Sequence, residues 1–315
     1  MTRDDDTPAH AEHATAWIAL GAAMVTVVLW ASAFVGIRAV ATDLSPGSLA
    51  LGRLLVGTIA LGTVVLIRRP RRPSRRALPF IVASGILWFA LYNVVLNAGE
   101  RYVDAGTAAM LVNVGPILIA ILGGLFLGEG FPPRLIYGSL VAFAGATVIG
   151  LATSSGAAGP EAGLGIVLCL IAAVAYAVGV VLQKPAVRDT PALMVTWLAC
   201  LVASVVLVPF APQLVGELGT APRESLAWLV YLGVFPTAIA FTTWAFALNR
   251  TTAGRLGSTT YLVPAIAIVM GWFVLGEIPP VAALVGGAIA IAGVVIARSR
   301  PARPAAAALA APAPR

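Results

Sequence analysis

The chain has 315 residues, of which 60% are hydrophobic and only 10% are charged, and its formal net charge is +7. A soluble domain carries about 25% charged residues, so this composition excludes an ordinary soluble protein and favours a chain embedded in a lipid bilayer. The basic residues lie between apolar runs rather than in a patch interleaved with aromatic residues, which argues against a nucleic-acid partner and indicates a membrane-orientation signal.

The apolar runs predict an all-α membrane protein with ten transmembrane helices. Residues 1–14 are polar and acidic, unlike the basic start of a secretory signal, and predict a cytoplasmic N-terminal tail. Ten runs of about twenty residues follow, each long enough to cross the hydrocarbon core as a helix that pairs its own backbone groups. Residues 298–315 are basic and rich in Ala and Pro, which predicts a disordered tail. The predicted spans are 15–37, 46–67, 77–98, 104–127, 133–152, 162–183, 192–211, 225–247, 253–275 and 280–297.

An internal repeat relates the two halves of the chain at an interval of 148 residues. At this interval Pro116 falls on Pro264, and Glu129 falls on Glu277, each Glu following a Leu-Gly pair. Pro and Gly fix turns and helix ends, so their recurrence means more than that of Leu or Ala. Because each repeat has five spans, an odd number, the second must enter the membrane inverted, as in secondary transporters that bind substrate between two halves. The predicted repeats are residues 15–152 and 162–297.

The distribution of basic residues predicts the orientation of the spans. Loops on one side of the predicted bundle hold most of them, and the loops on the other side hold only Arg38, Arg101 and Arg223. By the positive-inside rule, both termini are cytoplasmic, and we predict a multi-pass protein of the plasma or inner membrane. The basic residues of the cytoplasmic loops and of the C-terminal end are Arg68, Arg69, Arg71, Arg72, Arg75, Arg76, Arg134, Lys184, Arg188, Arg250, Arg255, Arg298, Arg300, Arg303 and Arg315.

Four motifs in this order resemble the EamA-type ten-helix members of the drug/metabolite transporter superfamily. They are the W-x-S-x-F-x-x-I-R start from Trp30 to Arg38, Arg53 early in the second span, the prolines of spans four and nine, and the G-E-x-x-P segments at Gly128 and Gly276. The resemblance covers residues 17 to 297. It implies a transporter, often an exporter of small metabolites or amino acids, with a central cavity lined by helices from both halves.

Arg53 is the only ionisable residue well inside a predicted span. An Arg at mid-helix costs about 2.5–3.5 kcal/mol on insertion scales, so a partner, water or a ligand must offset that cost. Two interpretations remain open at this stage. Arg53 could anchor an anionic or zwitterionic substrate, or it could bond backbone carbonyls near the start of its helix, about two turns from Pro46.

The other candidate residues are polar or aromatic side chains within spans. Side-chain amides are unfavourable in lipid and should face the bundle interior, either towards substrate or in helix–helix hydrogen bonds. The aromatic residues could line a cavity, or they could belong to ordinary packing or to an interfacial belt. The candidates for the cavity are Trp30, Phe34, Arg53, Trp88, Tyr92, Asn93, Asn97, Asn113, Tyr176, Gln183, Trp244, Thr260 and Tyr261.

Pro116 and Pro264 each remove a hydrogen bond within a predicted span, which predicts either a fixed bend or a hinge for rocking motions. Glu129 and Glu277 follow helix C-termini, where the helix dipole disfavours a carboxylate, so we predict a structural tie to a loop Arg or to backbone amides.

The sequence lacks the signatures of several other functions. We find no nucleotide-binding or metalloprotease motif, and Cys169 and Cys200 lie within apolar runs without metal-ligand spacing. We therefore predict no enzymatic activity, no metal and no cofactor. We also predict a monomer or a homodimer. The leading hypothesis is a secondary transporter of a small polar or zwitterionic metabolite. Its rivals are a non-transporting membrane assembly protein and a drug efflux pump, although no Asp or Glu lies deep within a span as in proton-exchanging cation pumps.

Overall fold

The computed structural model describes residues 7–40, 42–102, 105–153, 162–275 and 280–299. Within these ranges every regular element is a helix, as the apolar composition predicts for a chain that must satisfy its backbone groups inside lipid. Residues 7–14, more than half of the predicted N-terminal tail, form the start of the first helix. Glu277 and the predicted tail beyond Ser299 lie outside the described residues.

The described residues of the first half form seven α-helices and one π-helical segment. The second half forms eight α-helices, a second π-helical segment and two short 3₁₀ turns, at Val208–Phe210 and Thr259–Tyr261. The helices of the first half are α1 (Thr7–Val40), α2 (Pro46–Arg68), α3 (Leu78–Ser84), the π-helical segment Gly85–Leu91, α4 (Tyr92–Gly99), α5 (Ala105–Val112), α6 (Gly115–Phe126) and α7 (Pro133–Thr153). Those of the second half are α8 (Ala162–Asp189), α9 (Ala192–Val206), α10 (Ala211–Thr220), α11 (Arg223–Leu232), the π-helical segment Gly233–Ile239, α12 (Ala240–Arg250), α13 (Ala253–Ser258), α14 (Leu262–Leu275) and α15 (Val281–Arg298).

Eight stretches of the described residues are helical, long and apolar enough to cross a membrane, and each coincides with a predicted span. The other two predicted spans are built differently. Span 192–211 is a bent pair, in which α9 and the helix after it meet at 56°, and counting it as one span makes nine. Span 104–127 is divided into α5 and α6 at residues 113–114, and its apolar part, Met110–Phe126, is shorter than each of the eight stretches.

The break in span 104–127 differs from the bend predicted within a continuous helix. α5 ends at Val112, and Pro116 occupies the first turn of α6. A proline in a first turn is favourable, because the N–H it lacks would have no partner there. Pro264 likewise lies in the first turn of α14, just after the 3₁₀ turn. Each proline therefore follows an interruption of the α-helix.

Polar contacts at the two ends of the bundle define its two faces. At one end, which we call the Asp43 face, Ser225 Oγ donates to Asp43 Oδ2 at 2.5 Å, and the Ser45 amide donates to Glu217 Oε2 at 3.0 Å.

The opposite end is the Glu129 face. There the amides of Ala253 and Gly254 donate to the Glu129 carboxylate, and Arg134 donates to Ser299 Oγ at 3.3 Å. Lys184 Nζ donates to the carbonyls of Leu248 and Thr251 on the same face. Successive long helices connect the two faces and are therefore antiparallel.

Close packing of small residues joins α7 to α15. A β carbon added at Gly145 would lie 2.4 Å from the amide nitrogen of Ala290, and one added at Gly293 would lie 2.2 Å from that of Ala142. No real β carbon approaches backbone this closely, so these glycines set the distance between the two helices. Small residues serve this purpose in membranes, where helices associate through van der Waals packing rather than the hydrophobic effect.

Candidate functional site

A cavity of about 90 Å³ lies within the bundle, between helices from both halves of the chain. The side chains that line it come from α1, α2, the first π-helical segment, α4, α5, α8, α12, the second 3₁₀ turn and α14, with Asn113 from the break before α6. On α1 and α4 the lining positions lie nearer the Asp43 face than the Glu129 face. The lining residues are Trp30, Ala33, Phe34, Ile37, Arg53, Trp88, Tyr92, Asn93, Leu96, Val112, Asn113, Tyr176, Phe241, Thr260, Val263 and Pro264.

The structure brings nine of the thirteen predicted cavity residues, and one of the two predicted hinge prolines, to this wall. The nine are Trp30, Phe34, Arg53, Trp88, Tyr92, Asn93, Asn113, Tyr176 and Thr260, and the proline is Pro264. Pro116 is buried behind the wall.

Four predicted residues lie elsewhere. Asn97 donates from Nδ2 to the carbonyl of Pro46 at 3.2 Å, so its amide links α4 to α2. Trp244 is fully buried against Trp30, with ring centroids 5.0 Å apart. Gln183 and Tyr261 are also fully buried, and their polar side-chain atoms have no hydrogen-bond partner among the described residues.

Sequence reasoning missed six lining residues, all of them apolar. Helical spacing could have found most of them: Ala33 and Ile37 lie three and seven residues after Trp30, on the face of α1 that carries Phe34. Phe241 precedes Trp244 by three residues, and the ring centroids of Phe241 and Phe89 are 4.3 Å apart. The missed residues are Ala33, Ile37, Leu96, Val112, Phe241 and Val263.

Arg53 is 5% exposed, and what little of it is accessible faces the cavity. Its Nε donates to Thr237 Oγ1 at 3.0 Å, and this hydroxyl donates in turn to the carbonyl of Leu232 at 2.8 Å. Pro236 has no N–H, which leaves the Leu232 carbonyl, four residues earlier, available for the hydroxyl of Thr237. Because its proton is committed there, Thr237 acts as a pure acceptor and holds Arg53 by one edge of the guanidinium.

The two Nη groups of Arg53 make no hydrogen bond to any described residue. The Glu100 carboxylate, just beyond the end of α4, attracts the guanidinium electrostatically. Arg53 therefore presents a positive charge with unused donors to the cavity. Such a group can bind a carboxylate through two parallel hydrogen bonds.

Two amides complete the polar lining. Asn93 donates from Nδ2 to the carbonyl of Phe89 at 2.8 Å, and within the described part of the chain its Oδ1 has no partner. The Asn113 side chain is 8% exposed and makes no hydrogen bond to the described residues. Because these amides are buried and have donors or acceptors left unused, they can donate to or accept from a polar solute in the cavity.

Aromatic rings form a further part of the enclosure. Trp30 contacts Trp88, with ring centroids 6.0 Å apart and planes at 82°, and Tyr176 lies 5.4 Å from Trp88. Edge-to-face pairs of this kind pack rigidly. The faces of the rings can also attract a cation.

On the Glu129 face, contacts between the halves close the bundle. The Glu129 carboxylate accepts the Ala253 amide at 2.7 Å and the Gly254 amide at 3.2 Å, which ties the end of α6 to the start of α13. The predicted structural tie is thus a bond to backbone amides, but these belong to the second half of the chain.

Metal binding has no evident site in the described residues, among which no group of three or more His, Cys, Asp or Glu is placed to hold an ion.

Comparisons with known proteins find relatives that are named as transporters or exporters. The chain is 39% identical over 282 residues to a "Probable terminal-alkyne amino-acid exporter" of Streptantibioticus cattleyicolor, an alignment that covers 90% of this chain and 94% of that protein. It is 32% identical to the "Uncharacterized transporter YdfC" of Bacillus subtilis strain 168, over 84% of this chain and 86% of the relative. A solved crystal structure shares the fold with a TM-score of 0.73 at 21% identity, covering 89% of this chain and 96% of its own.

The sequence pattern of one family matches both halves of the chain, at residues 17–151 and again at residues 163–299. The chain therefore belongs to the EamA-like transporter family, as its motifs predict, and is a multi-pass membrane protein.

Proposed function

We propose that this protein is a secondary transporter that exports a small zwitterionic metabolite, such as an amino acid, by alternating access between two inverted five-helix repeats. The observation that carries the proposal is Arg53. It is buried in the wall of a cavity between the halves, held through Nε, and has donors left for a ligand.

The boundaries of the helices support two repeats, residues 15–152 and 162–297, of five spans each. The two π-helical segments begin at Gly85 and Gly233, and α5 and α13 begin at Ala105 and Ala253, each pair 148 residues apart. In this proposal the broken helix α5–α6 and the bent pair α9–α10 are the remaining two of the ten spans.

Reciprocal packing between the halves supports a two-fold relation. α1 packs on α12 and α14, and its counterpart α8 packs on their counterparts α4 and α6. α2 packs on the second π-helical segment, and α9 packs on the first. Because each repeat has an odd number of spans, the axis relating them lies in the membrane plane.

The cavity suits a zwitterion. The Arg53 guanidinium can bind a carboxylate through its Nη groups. The Oδ1 of Asn93 and the face of Trp30 can receive an ammonium group, by hydrogen bonding and by cation–π attraction. The apolar residues on the same wall leave room for a side chain. The name of the 39% identical exporter, which refers to an amino acid, supports this substrate class.

Alternating access requires each face to open in turn. In this structure the cavity lies towards the Asp43 face, while Glu129 and α13 close the opposite face. We assign the Glu129 face, which holds most of the basic loop residues, to the cytoplasm, with both termini on that side, in the plasma or inner membrane. The structure then represents an outward-facing state, and the interruptions before Pro116 and Pro264 are the joints about which the halves move.

Counterflow in proteoliposomes tests the proposal. Vesicles loaded with one unlabelled amino acid at a time should take up the same labelled amino acid through the purified protein. A screen of thermal stabilisation selects the compounds, because a ligand that binds only the folded state raises the melting temperature.

Arg53→Gln removes the charge, and we expect an apparent affinity lower by about 10- to 100-fold, from a charge-assisted contact worth about 1.5–3 kcal/mol. Arg53→Lys keeps the charge but loses the paired geometry, so its affinity should be intermediate. Arg68→Gln serves as the control, because it removes one positive charge from an exposed residue at the end of α2. Wild-type affinity in Arg53→Gln would show that Arg53 is only structural, and the absence of counterflow with every amino acid would favour an assembly protein.

A drug efflux pump is the rival within transport. Strong ethidium export by the reconstituted protein would favour it over a metabolite exporter.

A further inference from the structure

A second cavity, of about 660 Å³, lies at the Glu129 face, far from the Arg53 site. It opens between the end of α2, the start of α3 and the start of α9, and the loop segment from Arg69 to Pro73 forms its rim. We call it the arginine groove, defined by Arg69, Arg71, Arg72, Trp197 and Leu198. The proposed transport mechanism uses none of these residues.

The arginine groove carries concentrated and uncompensated positive charge. Its three arginines are exposed, and none forms an ion pair or hydrogen bond through its side chain with any described residue. Among the described residues, no carboxylate lines the groove. Pro70 lies between Arg69 and Arg71, and Pro73 follows Arg72. Both restrict the loop backbone, which lowers the entropic cost of holding three like charges around one cavity.

Arg69 adopts a backbone conformation that its residue type disfavours. Its φ is 45°, and in the described ranges it is the only residue other than glycine with a positive φ. It follows the last residue of α2, where its amide donates to the carbonyl of Val65 at 2.8 Å, a capping position usually occupied by glycine. A glycine would relieve the backbone strain but would remove one of the three charges that line the groove.

The inner wall of the groove is apolar and continues onto the lipid-facing surface. The Trp197 ring packs over Gly62, where an added β carbon would lie 3.0 Å from Trp197 Nε1. Leu66 and Ile67, on the neighbouring turn of α2, are each 76% exposed and face the hydrocarbon. A ligand in the groove can therefore place an anionic group at the arginines and alkyl chains along Trp197 and Leu198.

We propose that the arginine groove is a binding site for one acidic phospholipid of the adjacent leaflet. The guanidinium groups of Arg71 and Arg72 bind the phosphate, Arg69 adds to the positive potential around it, and the acyl chains lie against Trp197 and Leu198. Guanidinium groups suit phosphate because they donate paired hydrogen bonds. A soluble phosphate compound would leave the apolar wall uncovered, so the two acyl chains are part of the recognition.

The positive-inside rule alone would account for basic residues in this loop, so the test must separate a local site from diffuse attraction. The loop offers a matched control. Arg71→Gln/Arg72→Gln removes two charges from the groove, whereas Arg75→Gln/Arg76→Gln removes two charges from the same loop outside it.

The full-length protein, delipidated in a neutral detergent, is titrated with phosphatidylglycerol, and bound lipid is counted by native mass spectrometry. We expect one tightly held phosphatidylglycerol per wild-type chain. The affinity of Arg71→Gln/Arg72→Gln should fall by about 10-fold or more, since each basic residue near an anionic lipid surface contributes about a factor of five. The Arg75→Gln/Arg76→Gln affinity should change by less than about threefold. Phosphatidylcholine and soluble glycerol phosphate should not compete.

Arg69→Gly adds a second, independent readout. It should weaken phosphatidylglycerol binding while keeping or raising the melting temperature of the lipid-free protein, because it relieves the strained cap. An equal loss of binding in both double variants would overturn the proposal in favour of diffuse attraction, and so would competition by glycerol phosphate. Failure to retain any phosphatidylglycerol in the wild type would also overturn it. None of these outcomes bears on transport of amino acids.

Discussion

The contact between Glu129 and α13 offers a direct test of how the two halves are held together on one face. Gly128 and Gly130 flank Glu129 with φ of 69° each, a backbone conformation that side chains disfavour. This turn folds the carboxylate back over Gly123, where an added β carbon would lie 3.0 Å from Glu129 Oε2. The carboxylate thereby reaches two of the amides that a helix start leaves unpaired.

The magnitude follows from these two hydrogen bonds. A hydrogen bond to a charged group contributes about 1.5–3 kcal/mol. Glu129→Gln keeps one acceptor and the shape of the side chain but loses the second acceptor and the negative charge, so we expect a loss of about that size. A loss of 1 kcal/mol lowers the melting temperature by about 2–4 °C in chains of 150–250 residues, and this chain is longer, so the lower value of about 2 °C applies. The melting temperature of Glu129→Gln should therefore fall by about 3–6 °C.

The assay is thermal unfolding of the purified protein in detergent, followed by intrinsic fluorescence. Glu224→Gln is the matched control, because Glu224 is an exposed carboxylate in the first turn of α11 with no hydrogen bond to the described residues. It should shift the melting temperature by less than about 2 °C, since surface substitutions usually change stability by about 0.5 kcal/mol or less. Equal shifts in the two variants would refute the claim that Glu129 ties the halves together.

Two further predictions concern helix packing and motion. Gly145→Ala should force α7 away from α15 and lower the melting temperature by several degrees, whereas Gly21→Ala, in a helix with no atom within 4 Å of the added carbon, should leave it equal or higher. Pro116→Ala and Pro264→Ala remove the ring that disfavours a helical conformation in the residue before it, so the helix can continue across the interruption, and we expect slower counterflow without a loss of thermal stability. Wild-type transport rates in both proline variants would remove the hinge role, and unchanged stability of Gly145→Ala would contradict the packing argument.

The sequence by itself determined the all-helical class and the placement of most spans. It also determined the interval of 148 residues that separates the starts of several corresponding helices in the two halves. The physical reason is local. Inside lipid a chain must pair its backbone groups within each segment, so length and hydropathy are sufficient to predict a helix. Glycine and proline then mark the ends, as at Gly128 and Pro133. Membership of the EamA-like family was equally predictable, because its motifs are short and lie in fixed order along the chain.

The tertiary structure alone decided which polar residues share one cavity. Asn93 and Asn97 lie four residues apart on one face of α4, yet only Asn93 lines the cavity, because Asn97 meets the carbonyl of Pro46 on α2. Arg53 is held by Thr237, 184 residues away in sequence, and Thr237 can accept because Pro236 frees a carbonyl for its hydroxyl proton. Such pairings depend on how helices rotate and cross when they pack, and hydropathy carries no information about rotation, because neighbouring helices and lipid are equally apolar.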